Sequence, residues 1–325
     1  MSSHHPLGQI TAVPRSCTPS VGDGLESASQ HILATPSAGD GPQNAEMTTA
    51  TSRARRERAL GHVAGLASGP PVNPALRVTI NFHPDRLARG RPVLLALAQD
   101  GVYYSQFVTR IGNGRLSAFS GGDRWRWESR IFNGAYDDAP AEERPVYGAL
   151  NFRHYVAGAA PRFGSAHLRL RTHTQRRSTF CYPDSAFEPA DFGTAARMGL
   201  IELARADDRD ALDDYIEAQV HGPLRLDRDV EALVLDPSHH GTEVADAARQ
   251  LGCPVEWHPG FRVAVGDLAE HAAYRGQEYL DLAARIAQNG ILDPRILGQA
   301  ADHVDPHSLK RVWHYLARFG PPGTA

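Results

Sequence analysis

Tyr215-Ile216-Glu217-Ala218-Gln219-Val220-His221, closed by Gly222-Pro223, is the stretch from which the rest of the chain is best read. Side chains alternate across a β-strand, so Tyr215, Glu217, Gln219 and His221 share one face and Ile216, Ala218 and Val220 the other. The apolar face implies a packed sheet. Four polar residues with an acid among them require a solvated face, a polar cavity or a hydrogen-bonded interface. The period alone favours a solvated antiparallel face. Leu212 leads into this strand, Gly222-Pro223 ends it, and Val230–Leu235 is expected to pair with it as a hairpin.

Further strands are expected upstream. Val78–Phe82 is β-rich and is stopped at His83 by Pro84. Tyr103–Thr109 reads as a strand, with Gly112-Asn113-Gly114 as a tight turn. Tyr147–Phe152, Ala166–Arg171 (Ala, Leu, Leu alternating with His, Arg, Arg) and Ser178–Tyr182 before Pro183-Asp184 complete the set. Helical patterns occupy Pro92–Gln99, Phe192–Ala206, Glu243–Leu251, Gly266–Ala287, Asp293–His303 and Ser308–Phe319. Strands and helices do not alternate, and neither GxGxxG nor GxxxxGK[ST] occurs, so a doubly wound nucleotide fold is not expected. The expectation is an α+β domain over residues 52–320, mainly helical in 243–320, with a short tail at 321–325.

Residues 1–50 are rich in Ser, Pro, Gly, Thr and Ala and cannot bury enough surface to order themselves, so an N-terminal arm over 1–51 is expected to be disordered. Ser52–Leu66 then reads as a helix capped by Ser52, with Ala59, Leu60, Val63 and Leu66 on one face. Met47 is an alternative start.

The 325 residues carry a formal charge of −3, which provides no electrostatic footprint for nucleic acid. No apolar run reaches the roughly 18 residues of a membrane span. Met1–Pro14 lacks the pattern of a secretory signal, so synthesis in the cytoplasm is expected, with leaderless export leaving no mark. Cys17, Cys181 and Cys253 form no CxxC pair, which argues against a disulfide framework and a structural zinc; they are expected to fill cores. The 16 histidines include no HExxH, and His239-His240 reads as a surface turn. No metal is expected. Lys310 is the only lysine among many arginines, a sign of coding bias, or of few sites for ubiquitin attachment.

Polar residues cluster at strand ends and turns, where a scaffold presents side chains to ligands. Asn81, His83, Asp85 and Arg86 form one cluster, suited to a ribose or phosphate or equally to a Pro-Asp turn that caps a helix. Tyr104, Ser105 and Gln106 with Ser120-Gly121-Gly122-Asp123-Arg124 form a second, able to hold a phosphate or to make ordinary turns. Arg162-Phe163-Gly164-Ser165, with Asn151, could stack a flat ring and bond its amide, or pack as a turn. The alternating strand 215–221 is the fourth.

These stretches together resemble a known family. TINFHPDR (79–86), GVYYSQF (101–107), the Gly-Asn-Gly turn, RPVYGALN (144–151), PRFGSAHLRL (161–170), TFCYPDS (179–185), YIEAQVHGPL (215–224) and DVEALVLDPS (229–238) look like a bacterial domain-of-unknown-function family. That family includes the CteC-type effectors, which ADP-ribosylate ubiquitin on a threonine. The likeness runs from about Ala59 to Phe319. It implies a split-sheet ADP-ribosyltransferase core that binds NAD+ as substrate without a metal. In such cores a first strand carries an Arg or His, a second a Ser or Tyr and a later one a glutamate; His83, Ser105 and Glu217 are the candidate occupants. Glu217-Ala218-Gln219 reverses the usual Gln-x-Glu, and Tyr215 stands two before the acid, so Tyr215, Gln219 and His221 all compete to face the acceptor, with Tyr215 preferred.

The catalytic set implied is Glu217, His221 and Ser105, with Glu217 stabilising an oxocarbenium-like ribose and His221 or Glu217 as general base. The cofactor set is His83, Arg86, Tyr104, Gln106, Arg124, Asn151, Arg162, Phe163, Ser165 and Gln219. A monomer acting on a protein acceptor such as ubiquitin, inside a host cell, is the expectation. The competing readings are an NAD+ glycohydrolase, a hydrolase using His83 and Asp85 with a metal, and a non-catalytic partner-binding module.

Overall fold

Eight strands join edge to edge into one mixed sheet in the computed structural model, which describes residues 42–110 and 116–322. In chain order they are β1 (Val78–Phe82), β2 (Val146–Leu150), β3 (Ala166–Leu170), β4 (Ser178–Tyr182), β5 (Asp191–Thr194), β6 (Ile216–Val220), β7 (Val230–Leu235) and β8 (Val255–Trp257). Their spatial order is β8-β7-β3-β1-β2-β6-β4-β5. Every pairing is antiparallel except β7 with β8. The architecture is α+β, with helices flanking a large central sheet. β1 and β2 pair only at Val78 with Leu150 and Thr79 with Ala149, and beyond Thr79 the ladder between them ends.

Ala166, Leu168 and Leu170 of β3, Val78, Ile80 and Phe82 of β1, and Ile216, Ala218 and Val220 of β6 meet in the main apolar core. The opposite face carries Thr79, Ala149, Thr179, Cys181, Glu217 and Gln219, which register brings side by side: Glu217 lies between Ala149 and Cys181, and Gln219 between Tyr147 and Thr179. This polar face is not solvated. Tyr215, Glu217, Gln219 and His221 are all buried, because α1 (Pro42–Leu66) and α3 (Asp123–Ile131) with the segment after it contribute Ala59, Val63, Trp127, Ile131, Phe132 and Tyr136 to a second layer that also takes in Cys181.

Several expectations need correction. Val230–Leu235 does not pair with β6, whose two edges are taken by β2 and β4; it lies between β3 and β8 instead. The short helix Leu226–Asp229 turns the chain away before a hairpin can form. Tyr103–Thr109 is not a strand. Only Val102–Tyr103 is extended, against Leu224–Arg225, and Gln106–Thr109 is a helical turn entered from Ser105. Phe192 belongs to β5, so the helix α4 begins only at Leu200 (Leu200–Ala206). The pattern Gly266–Ala287 divides into a 3-10 stretch, Val265–Tyr274, and a helix α6 (Gln277–Ile286), separated by Gly276 at φ +122°. The first helix starts at Pro42, so Ser52 lies inside it and is not its N-cap, and 42–51 is helical. Residues 1–41 and the Gly112-Asn113-Gly114 turn lie outside the described residues, as do Cys17 and the last residues of the tail.

The helices α2 (Val93–Asp100) and α5 (Glu243–Ala248) cover the main core, and α6, α7 (Pro294–Gln299) and α8 (Pro306–Phe319) form a further apolar cluster around Leu268, Leu280, Leu292, Leu309, Trp313 and Tyr315. No boundary separates that cluster from the sheet within Glu46–Ala325. Cys181 fills the core as expected, and of the adjacent pair His239 is buried while His240 is exposed. Among the described residues no helix is long and apolar enough to cross a membrane.

Burial draws His167 and His221 down to about 3 and His314 to about 2, from an ordinary 6.5. These rings are neutral in the fold, while the unfolded chain binds protons on them below pH 6.5. Their stabilising contribution is therefore complete above that pH and falls as the solution is acidified toward 3. Each group contributes a slope of up to about 1.4 kcal/mol per pH unit. Thermal melts between pH 7.5 and 5 are expected to show Tm falling with pH; a level or rising Tm would contradict the burial of these rings as neutral species.

Candidate functional site

A cleft opens beside the polar face of the sheet. Its walls come from the end of β1 with His83, from the Arg86–Thr109 region, from Arg124 of α3, from Tyr147, from the turn Ala160–Phe163, from Asp184–Phe187 after β4, from Tyr215 and Glu217, and from Lys310 of α8. Most of these elements are distant in sequence, and the sheet register brings them together.

Glu217 is the buried acid of this cleft. One carboxylate oxygen accepts from Gln219 Nε2 at 3.0 Å, with Cys181 Sγ at 3.7 Å. The other accepts from Ser185 Oγ at 2.9 Å and the Ser185 amide at 3.4 Å. Arg124 Nη1 lies 3.8 Å away and donates to Ser185 Oγ at 2.5 Å, so the Ser185 hydroxyl proton points at Glu217. Burial pushes the carboxyl above its ordinary range, Arg124 pulls it back, and Asp184 adds a further upward push. Donors alone surround the two oxygens, which is the environment of an anion.

Arg124 is itself held. Its guanidinium stacks 4.0 Å over the Tyr147 ring, and the Tyr147 hydroxyl donates to Glu128 at 2.9 Å. Arg144 closes this second network by donating to Glu128 at 2.7 Å and to the Tyr136 carbonyl at 2.7 Å, while stacking on Phe107. Burial lifts the Glu128 carboxyl to about 7 against the opposing pull of Arg144. It lies behind the cleft, not in it.

On the far wall Tyr215 donates its hydroxyl to Asp184, and Phe163 meets the Tyr215 ring edge-on at 5.6 Å. Arg162 pairs with Asp213. The turn carrying Arg162 and Phe163 is fixed from two sides. Gly164 has φ +154°, and a Cβ there would stand 2.0 Å from the Phe82 carbonyl carbon, so no other residue lets the turn close on β1. Trp313 Nε1 of α8 donates to the carbonyls of Pro161 and Arg162 at 3.1 and 3.2 Å. Trp313 also meets the His83 ring edge-on at 4.9 Å. Burial draws His83 down to about 3, so it is a neutral hydrogen-bonding group, not a cation for phosphate.

Of the fourteen residues to which the resemblance gives a catalytic, cofactor or acceptor role, ten line the cleft: His83, Arg86, Tyr104, Ser105, Gln106, Arg124, Arg162, Phe163, Tyr215 and Glu217. Four do not. Asn151 makes a local loop by bonding both backbone groups of Tyr155. Ser165 is fully buried, with its carbonyl accepting from His258. Gln219 and His221 are completely buried behind Glu217. His221 is consequently no general base for the cleft.

Ser105 lies on a turn instead of a second sheet strand and donates its hydroxyl to the Ala141 carbonyl at 2.9 Å. The Ser120–Asp123 turn offers no phosphate cradle: the amides of Gly122, Asp123 and Arg124 bond to Phe119 and Ser117, and Arg124 alone reaches the cleft. The residues that reading the sequence missed are Tyr147, Asp184, Ser185 and Lys310, with Glu128 behind them. Pro183-Asp184 was legible as a strand end, but nothing local marks it as a cleft wall. Among the described residues no group of His, Cys, Asp or Glu is arranged to hold a metal ion.

The family model described as "Protein of unknown function (DUF3626)" matches residues 77–205 and 198–319, which takes in the whole sheet and the helices α2 to α8 but not α1. No curated protein matches the chain.

The buried Arg144–Glu128 pair behind Arg124 has a defined pH signature. Replacing Arg144 by Met removes the pull that opposes burial, so the Glu128 carboxyl of the variant rises further and keeps at pH 8 a proton that the unaltered fold has largely released. Below about 7 Glu128 is protonated and needs no counter-charge. Urea unfolding of Arg144→Met at pH 8 and pH 6 is expected to show the larger loss at pH 8. An equal loss at both would mean that Glu128 carries no charge in the fold.

Proposed function

From the chemistry of the cleft in a chain that belongs to the DUF3626 family, we propose an NAD+-dependent mono-ADP-ribosyltransferase that modifies a protein hydroxyl, with a threonine of ubiquitin as the acceptor to test first. The observation that carries this reading is Glu217, a buried carboxylate ringed by donors at the wall of a cleft that also holds Arg86, Arg124, Arg162 and Lys310. Arginines and a lysine suit a pyrophosphate. Tyr104, Phe163 and Tyr215 offer ring faces and edges for the flat bases.

The reaction breaks the bond between ribose C1′ and the nicotinamide nitrogen, and nicotinamide leaves as a neutral molecule with the bonding pair. Positive charge grows on the ribose ring, as in glycoside cleavage. An oriented carboxylate near the anomeric carbon stabilises that charge more in the transition state than in the ground state. Glu217 takes this role. The acceptor oxygen then attacks C1′, and its proton passes to a cleft carboxylate, Glu217 or Asp184. With His221 out of reach, these two are the candidate bases. Neutral His83 serves as a donor or acceptor to a ribose oxygen. Water in place of the protein hydroxyl would make the same cleft an NAD+ glycohydrolase.

The test is mass spectrometry of ubiquitin after incubation with the protein and NAD+, beside calorimetry of NAD+ binding. A mass increase of one ADP-ribose is expected. Glu217→Gln is expected to lower transfer by roughly 10²–10³ while NAD+ still binds. Nicotinamide release without a modified acceptor would favour the glycohydrolase. No NAD+ binding, or transfer unchanged in Glu217→Gln, would overturn the assignment.

A further inference from the structure

Behind Glu217, away from the cleft, four buried side chains form a single file of hydrogen bonds. The Tyr136 hydroxyl lies 2.8 Å from His221 Nδ1, His221 Nε2 lies 3.0 Å from Thr179 Oγ1, Thr179 Oγ1 lies 2.8 Å from Gln219 Oε1, and Gln219 Nε2 lies 3.0 Å from Glu217. None of the four lines the cleft. Gln219, Thr179 and His221 are completely buried and Tyr136 nearly so.

We propose that Tyr136, His221, Thr179 and Gln219 are positioning residues that hold Glu217 as an oriented anion, and that the charge on Glu217 in turn fixes His221 in its Nε2–H tautomer. The functional half of this proposal rests on reading Glu217 as the acid of the cleft; the tautomer half does not.

The direction of every bond follows from one charge. A carboxylate only accepts, so the Gln219 amide must turn its NH2 toward Glu217 and its carbonyl toward Thr179. Thr179 has one proton, which goes to that carbonyl, so its oxygen accepts from His221 Nε2–H. A neutral imidazole protonated on Nε2 accepts at Nδ1, so Tyr136 donates there. Burial keeps His221 neutral by drawing it down to about 3. Four donors aligned head to tail in a dry interior polarise one another and add their field at Glu217. If Glu217 were neutral and itself the donor, the file would run the other way and place the proton on Nδ1.

The ring is also fixed in space. Phe132 meets it edge-on at 5.0 Å, Tyr136 stacks at 5.7 Å, and Arg177 Nη1 donates to the His221 carbonyl at 2.5 Å. The side-chain file meets the cleft at Glu217.

Long-range 1H–15N correlation on the intact protein labelled in histidine reads the tautomer without any substitution. His221 is expected protonated on Nε2 and bare on Nδ1 at pH 7; protonation on Nδ1 would overturn the proposal. Thr179→Val keeps the strand shape and cuts the file. It is expected to raise the Glu217 carboxyl titration, followed by side-chain 13C shifts, and to lower ADP-ribose transfer about ten- to a hundred-fold, mostly in kcat. Thr179→Ser, which restores the hydroxyl, is expected to recover both. A Glu217 titration unmoved by Thr179→Val would overturn the positioning role. If the protein neither binds NAD+ nor modifies an acceptor, the functional reading of the cleft fails, while the tautomer and the Glu217 titration still decide whether the file exists.

Discussion

A carboxylate buried in the middle of a sheet is the constraint around which this protein is arranged. Charge removed from water is costly unless donors replace the lost hydration. Around Glu217 that replacement draws on Gln219 of its own strand, on Ser185 beyond the neighbouring strand, and on Arg124 from the covering helix. Arg124 is itself backed by Tyr147, which leans on Glu128, which leans on Arg144. The polar face of the sheet is therefore a connected network, and no part of it can be altered in isolation.

The opposite face does the bulk of the stabilising by ordinary means. Val78, Ile80, Phe82, Leu168, Leu170, Ile216 and Val220 share one apolar cluster with residues of α2, α4 and α5. A carboxylate can be kept dry on one side because the sheet is anchored by apolar burial on the other. The C-terminal cluster adds a third element, since Trp313 holds the turn that carries Arg162 and Phe163.

The sequence revealed the strands more readily than their neighbours. Val78–Phe82, Ala166–Leu170 and Ser178–Tyr182 stand out because β-branched or alternating runs stop at Pro or Gly, and that information is local. Pairing is not local. Val230–Leu235 follows β6 in the chain, so a hairpin was the simplest guess, yet β6 has no free edge. The alternation at 215–221 revealed a polar face but not its burial, which depends on helices far away in sequence. Glu217 and its cleft neighbours His83, Arg124 and Arg162 were legible by residue type at strand ends and turns. Asp184, Ser185 and Glu128 were not, because a turn acid, a turn serine and a helical glutamate carry no local mark of the company they keep in three dimensions.

The Trp313 bonds also have a temporal meaning. Synthesis on the ribosome proceeds from β1 toward α8, so the strands that hold Glu217 can assemble while the turn at Pro161–Phe163 still lacks its indole strut and Lys310 has yet to emerge. The cleft is therefore completed only when Pro306–Phe319 docks.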